Sequence, residues 1–195
     1  MNQNDVVTRL RTGLEHVKEE LHQAETALKT AGDGLAQRVR PAVERLERTR
    51  DGAAAALHRL EEEAAETRDA LAADLEREYH QLEAELRILR SELRSELAEN
   101  VDAYRSAANE QLLAWRAGLD ELRVQAHLAK MDARDELTIL LDRVESRYHE
   151  ATRQLRASAS DSDLAPLRER LRGVFHDLRG AADHVTETLR SQRRS

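Results

Sequence analysis

Residues 71–97 read LAADLEREYHQLEAELRILRSELRSEL, and this stretch decides the fold. The leucines that recur every eleven residues form two registers, Leu71, Leu82 and Leu93, and four residues later Leu75, Leu86 and Leu97. Eleven residues complete three helical turns at about 3.67 residues per turn, close to the 3.6 of a straight α-helix. The pattern therefore predicts an amphipathic helix whose apolar stripe runs nearly parallel to its axis.

The first register continues in both directions from this stretch. Its consecutive apolar members are Leu60, Leu71, Leu82, Leu93, Tyr104, Trp115, Ala126, Leu137 and Tyr148. Between residues 42 and 157 the helix-weakening residues are Gly52 and Gly118, and a glycine within a helix costs about 1 kcal/mol without ending it. We predict a long central helical region over 35–157, either one continuous rod or a rod that folds back at an unmarked bend.

Shorter segments with a seven-residue repeat flank the central region. The apolar positions of the first are held by Val7, Leu14, Leu21 and Leu28, and by Leu10, Val17, Ala24 and Ala31. Those of the last are held by Leu164, Leu171, Leu178 and Val185, and by Leu167, Val174 and Ala181. Because such repeats are typical of helices that pack as coiled coils, we predict helices over 5–31 and 163–192.

Glycine, proline and serine mark the expected ends of these segments. Gly32-Asp33-Gly34 favours a helix end near Ala31, and Pro41 lacks a backbone donor, so residues 32–41 are expected to form a bend or a kinked lead-in. Residues 157–163, which read ASASDSD, form the clearest linker. Ser162 or Asp163 is expected to cap the last helix.

Composition supports an all-α protein. The 195 residues include 35% charged residues, 3% aromatics, seven glycines, two prolines and no cysteine. This balance is typical of long helices and excludes disulfides. We therefore predict long amphipathic helices that form an elongated coiled coil or an antiparallel helical bundle.

Charge and the N-terminal sequence restrict location and partners. The chain begins with Met1-Asn2-Gln3-Asn4-Asp5, which lacks the basic start and apolar run of a secretory signal. No apolar stretch approaches the roughly 20 residues that span a bilayer, so the cytoplasm is the expected location. The net charge of −7 argues against nucleic acid as the main ligand.

Catalytic and metal-binding patterns are scarce. Glu19 and His22 form a Glu-x-x-His motif preceded by His16, but no second copy completes the set that a di-iron bundle uses. No Gly-rich phosphate loop or nucleophile elbow occurs. We therefore expect a non-enzymatic protein with no cofactor, no catalytic residue and no metal site.

The stretch from Leu112 to Leu141 is the candidate interaction surface. Its apolar residues spread around the helix instead of forming a narrow stripe, which implies burial against more than one neighbour or a binding surface. The residues chosen to represent this surface are Leu112, Trp115, Leu119, Leu122, Met131, Leu137 and Leu141. A local multi-helix core and a surface for protein or lipid are the alternatives that the sequence leaves open.

Length favours self-association. A continuous helix over 42–157 would run roughly 170 Å, whereas the two flanking helices would cover roughly 85 Å of it. An uncovered apolar stripe needs a partner, and we expect a second copy of the chain. The expected function is that of a structural or interaction protein that self-associates or binds another helical protein. A lipid surface is the alternative partner.

Tandem eleven-residue amphipathic repeats over residues 57–150, in a charge-rich chain without cysteine, resemble those of the exchangeable apolipoproteins. The resemblance implies helices that lie on lipid surfaces and fold into long bundles when free of lipid. The chain departs from that family in having no proline between residues 42 and 165.

Overall fold

A computed structural model describes residues 3–30, 33–62, 65–128, 131–158 and 161–194. It confirms the all-α prediction, since these ranges contain helices packed against each other and no strand. The helices are α1 (Gln3–Thr30), α2 (Asp33–Glu62), α3 (Ala65–Leu97), α4 (Val101–Leu128), α5 (Met131–Ala157) and α6 (Leu164–Arg194).

The chain divides into two compact units, unit 1 over Met1–Leu93 and unit 2 over Arg94–Ser195. Unit 1 contains α1, α2 and most of α3, and unit 2 contains the last residues of α3 together with α4, α5 and α6. Each unit is an antiparallel bundle of three helices with its own apolar core.

Ion pairs fix the direction of the helices in unit 1. Arg9 pairs with Glu76, and eleven residues further along α1 Glu20 pairs with Arg90 at 2.9 Å, so α1 and α3 run parallel. The helix between them runs the opposite way, because Arg11 near the start of α1 pairs with Glu61 at the end of α2. Leucines and valines from all three helices fill the space between them.

The same order of directions holds in unit 2. Arg123 Nε of α4 donates to Glu145 Oε1 of α5 at 2.9 Å, and near the other end of α5 Arg105 Nη2 donates to Ser158 O at 2.7 Å. The contact at the higher residue number in α4 is made to the lower residue number in α5, so the two helices are antiparallel. Arg168 of α6 lies over the Tyr104 ring near the start of α4, so α4 and α6 run parallel.

The predicted central region 35–157 is not one rod. Helices end at Glu62, Leu97 and Leu128 within it, so the alternative in which the chain folds back is the one observed. The N-terminal and C-terminal segments predicted over 5–31 and 163–192 correspond closely to α1 and α6. Residues 63–64, 129–130 and 159–160 lie outside the described part of the chain.

Of the two expectations for residues 32–41, the bend is wrong for the described residues 33–41, which are helical. Pro41 lies inside α2, which begins at Asp33. A proline within a helix costs about 3 kcal/mol or more. The helix continues because four residues around the proline keep helical spacing and are buried, and each contributes about 1.5–3 kcal/mol. They are Leu35, Val39, Val43 and Leu46.

The two ends of the 157–163 linker behave as expected at the residues that the structure describes. The α5 helix ends at Ala157, and residues 161–163 are not helical. Asp163 Oδ1 accepts a hydrogen bond from Ala165 N at 3.1 Å, which makes Asp163 the N-cap of α6. Pro166 lies in the first turn, where its missing donor costs little.

The bundles in the two units share one helical framework. The bounds of α4 are those of α1 shifted by 98 residues, since Gln3 and Thr30 correspond to Val101 and Leu128. The same shift relates the first residues of α2 and α5, Asp33 and Met131. With a shift of 96 residues, the buried Leu75, Leu82, Leu89 and Leu93 of α3 correspond to the buried Leu171, Leu178, Val185 and Leu189 of α6. This correspondence allows a surface position in one unit to be compared with its counterpart in the other.

Candidate interaction surface

The structure places the predicted surface residues in the core of unit 2. Six of the seven side chains are buried, namely Leu112, Trp115, Leu119, Leu122, Leu137 and Leu141. The side chain of Met131 lies outside the described part of the structure. These residues pack where α4, α5 and α6 meet, which is the local multi-helix core that the sequence left open as one alternative.

A different set of apolar residues on α4 is exposed. Leu113 is 66% exposed, Val124 55% and Leu128 61%, and Ala117 is exposed between them. Their spacing of four, seven and four residues places all four on one side of a helix that advances about 100° per residue. We call Leu113, Ala117, Val124 and Leu128 the outer stripe.

The corresponding face of unit 1 is polar. A shift of 98 residues pairs the outer stripe with Glu15, Glu19, Thr26 and Thr30 of α1. The α1 helix therefore packs in the same framework without apolar residues at these positions. It follows that the outer stripe is not needed to build a bundle of this kind, and its exposed apolar area calls for another explanation.

Two other large apolar residues are exposed in the described part of the chain, and both lie apart from this stripe. Ile139, on α5, is 62% exposed, and its helical neighbours Asp135, Glu136 and Asp142 are charged and exposed. Leu97, at the last residue of α3, is 47% exposed. Single exposed apolar residues are common on protein surfaces, so neither forms a comparable patch.

The sequence carried a signal for the outer stripe. Apolar residues spread around α4 because two sets overlap there, one facing the core and one facing away from it. Four of the seven residues chosen from the sequence, Trp115, Leu119, Leu137 and Leu141, belong to the two eleven-residue registers, and all four are core positions. Comparing α4 with α1 separates the core-facing residues from the outward-facing ones. That comparison needs the shift of 98 residues, which is known only from the helix bounds in the structure.

A polar groove runs beside the outer stripe, between α4 and α5, with a volume of about 1000 Å³. At one end, Arg123 donates to Glu145 Oε1 at 2.9 Å and to Asp120 Oδ1 at 2.6 Å. The hydrogen bond to Glu145 raises the pKa of the Arg123 guanidinium above its ordinary value, so the guanidinium stays charged at neutral pH. Toward the other end the lining becomes basic, with Arg116, Arg153 and Arg156.

A second polar cluster, at the start of α4, has a structural role. Tyr104 is buried, and burial followed by the nearby Glu96 carboxylate raises its pKa to about 12. Arg172 holds Glu96 through two hydrogen bonds of 3.0 and 2.9 Å, while Arg168 donates to Ala98 O beyond the end of α3. These arginines donate hydrogen bonds to a carboxylate and a carbonyl oxygen near the end of α3. Because of this raised pKa the tyrosine stays protonated at neutral pH.

His22 of the Glu-x-x-His motif and the preceding His16 lie on the exposed side of α1. His16 lies 3.8 Å from Glu20, and His22 lies 3.9 Å from Glu25, both within one helical turn. Across the described residues, no group of three or more His, Cys, Asp or Glu side chains is arranged to hold a metal ion.

No family model, curated protein or solved structure matches this chain. None of the helices in the described part of the chain combines the length and apolarity needed to cross a bilayer. The outer stripe and the adjacent groove, both in unit 2, are therefore the features from which a function can be argued.

Proposed function

We propose that this protein is a non-enzymatic interaction protein that self-associates by packing the outer stripe of α4 against the same stripe of a second copy. The observation that carries the proposal is the exposure of Leu113, Val124 and Leu128 in a helix whose counterpart, α1, has polar residues at the same positions. Burying such side chains away from water is favourable by about 1.5–3 kcal/mol each.

The spacing of the outer stripe favours a second copy over an unrelated helix. The intervals between its residues, four, seven and four, are the same in both directions along the helix. An antiparallel pair of α4 helices would therefore place Leu113 opposite Leu128 and Ala117 opposite Val124. A two-fold symmetric interface requires such self-complementarity, because the same patch serves both copies. The small Ala117 would leave room for the larger valine.

Charge does not prevent this arrangement. Asp120 lies at the middle of the stripe, where two copies would bring two of these carboxylates together. Its Oδ1 atom already accepts a hydrogen bond from Arg123 Nη1 at 2.6 Å, which balances its charge within each copy. Arg123 itself is about half exposed and lies three residues from Asp120, at the edge of the stripe.

The residues of unit 1 supply the variant that tests the proposal. Leu113→Glu with Val124→Thr replaces two stripe residues by those at positions 15 and 26, which a helix in this framework tolerates. Sedimentation velocity and light scattering across a concentration series should give a dimer for the natural protein and a monomer for the variant. Ile139→Thr is the matched control, because it removes an equally exposed apolar residue outside the stripe and should leave the dimer intact. A natural protein that stays monomeric at high concentration would refute the proposal.

A lipid surface is the second candidate partner for the same stripe. Arg116 and Arg123 flank it on α4, and long cationic side chains beside apolar ones are typical of helices at lipid interfaces. Against this, the members of the first eleven-residue register, from Leu60 to Tyr148, are buried or half-buried within the two bundles. Co-sedimentation of the natural protein, but not of Leu113→Glu/Val124→Thr, with vesicles would favour lipid over a second copy.

A further inference from the structure

The basic end of the α4–α5 groove has the features of an anion site. Arg116, Arg153 and Arg156 all line the groove, although the chain as a whole carries a net charge of −7. The corresponding residues of unit 1 are Lys18, Ala55 and His58, so the framework does not require three arginines here. Like charges held together cost free energy unless an anion balances them.

Helix register brings these arginines to one place. The Arg123–Glu145 hydrogen bond fixes the antiparallel alignment of α4 and α5. Seven residues back along α4 is Arg116, and seven residues forward along α5 is Thr152, so the two lie opposite each other. Arg153 and Arg156 follow Thr152 within about one helical turn.

The guanidinium groups are available for a ligand. Arg116 and Arg156 are exposed and have no carboxylate partner within the part of the chain that the structure describes. Arg153 pairs with Glu150, its neighbour on the same helix, and remains largely exposed. The nearest carboxylate on α4, Asp120, is engaged by Arg123. Tyr148 and His149 line the same groove and provide further polar groups.

We propose that the basic end of this groove, formed by Arg116, Arg153 and Arg156, binds the phosphate group of an anionic ligand. Guanidinium groups suit phosphate because their planar forks donate two parallel hydrogen bonds to its oxygens. A groove open to solvent admits a phosphate from a small soluble molecule or from a lipid headgroup. This site is independent of the proposed self-association, which rests on other residues of α4.

Isothermal titration of the full-length natural protein with pyrophosphate, at constant ionic strength set with chloride, tests the proposal. Saturable binding is expected. Arg116→Gln with Arg156→Gln should weaken it by about tenfold or more, because hydrogen bonds to charged groups are lost. Arg48→Gln with Arg143→Gln removes two charges outside the groove and should leave the affinity unchanged. Circular dichroism should give the same helix content for all three proteins.

A parallel arm with vesicles distinguishes the source of the phosphate. Vesicles of phosphatidylcholine with phosphatidate should bind the protein, and those of phosphatidylcholine alone should not, if the ligand is a headgroup. Binding to pyrophosphate without binding to vesicles assigns the site to a soluble phosphate. Absence of both interactions, or equal loss in the two double variants, would overturn the proposal. Self-association measured on the same samples is not expected to change with Arg116→Gln/Arg156→Gln.

Discussion

One pair of corresponding positions has opposite electrostatics in the two units. In unit 2, Arg123 and Glu145 form a hydrogen-bonded ion pair between α4 and α5. Their counterparts between α1 and α2 are Glu25 and Glu47, two carboxylates. Partial burial, followed by repulsion from Glu25, raises the pKa of Glu47 above its ordinary value. The same backbone framework therefore holds an attractive pair in one unit and a repulsive pair in the other.

Glu25→Arg should convert the repulsive pair into an attractive one. A carboxyl whose folded pKa is raised contributes stability that is fully present below pH 4.5 and is lost as pH rises through the folded pKa. The substitution should lower the pKa of Glu47 and increase stability at neutral pH by about 0.2–1 kcal/mol, the range of a partly exposed pair. Carboxyl NMR titration and urea unfolding measure the two effects.

Glu25→Gln is the control for this prediction, because it removes the repulsion without adding an attraction. Its effects should lie between those of the natural protein and Glu25→Arg. If Glu47 titrates at its ordinary value in all three proteins, the two carboxylates do not interact across α1 and α2.

At the scale of helices, α1 and α3 approach closely at one glycine. A Cβ atom on Gly13 would lie 2.3 Å from Tyr79 Oη and 2.4 Å from Tyr79 Cζ, far inside contact distance. The Tyr79 hydroxyl also donates to Glu83 Oε1 at 2.8 Å, which helps to hold the ring in place. Gly13 therefore provides the space in which the tyrosine ring lies against α1.

Gly13→Ala should destabilise unit 1 although alanine favours helix more than glycine does. Overpacking costs about 1–3 kcal/mol and exceeds the gain of about 1 kcal/mol in helix propensity, so the free energy of unfolding should fall by up to about 2 kcal/mol. Gly52→Ala and Gly173→Ala are matched controls, since nothing lies within 4 Å of either added Cβ, and both should stabilise the protein. Urea denaturation measures each change, and a stabilising Gly13→Ala would show that Tyr79 moves aside at little cost.

Sequence patterns predicted the core positions better than the helix ends. Leu82, Leu93 and Leu137 are buried as the eleven-residue register predicts. The same register hid the breaks, because its apolar members continue at eleven-residue spacing across them, for example from Leu93 in α3 to Tyr104 in α4. The chain therefore reads as a single stripe.

The missed helix ends lack the usual markers. No glycine or proline occurs at residues 63–64, 98–100 or 129–130. One local signal was present, since Asn100 Oδ1 accepts a hydrogen bond from Ala103 N at 2.9 Å and caps α4. Asparagine within a charged helix is common enough that this cap stands out only once the helix end is known. The sequence left open whether the chosen surface residues are buried in a core for a related reason, because burial depends on where α5 and α6 pack.

At the scale of the whole chain, the two units differ more in their surfaces than in their frameworks. Both are three-helix bundles with matching buried positions. The outer stripe and the three arginines of the groove belong to unit 2, and other residues stand at the corresponding positions of unit 1. Folding back covers the central stripe, so the length of the chain no longer calls for a second copy. The proposed self-association depends instead on the four residues of the outer stripe, and a test of sufficiency should use those residues.

Transferring the outer stripe to unit 1 provides that test. Glu15→Leu, Glu19→Ala, Thr26→Val and Thr30→Leu together give α1 the residues found at the corresponding positions of α4. A chain with one self-complementary stripe closes as a dimer, whereas a chain with two can bind a different copy through each and grow further. We therefore expect assemblies larger than a dimer, with a mass that rises with concentration in light scattering. Adding Leu113→Glu and Val124→Thr to the transferred chain leaves one stripe, now on α1, and should restore the dimer. If the transferred chain keeps the mass of the natural protein while circular dichroism shows that it is folded, the four stripe residues are not sufficient for association.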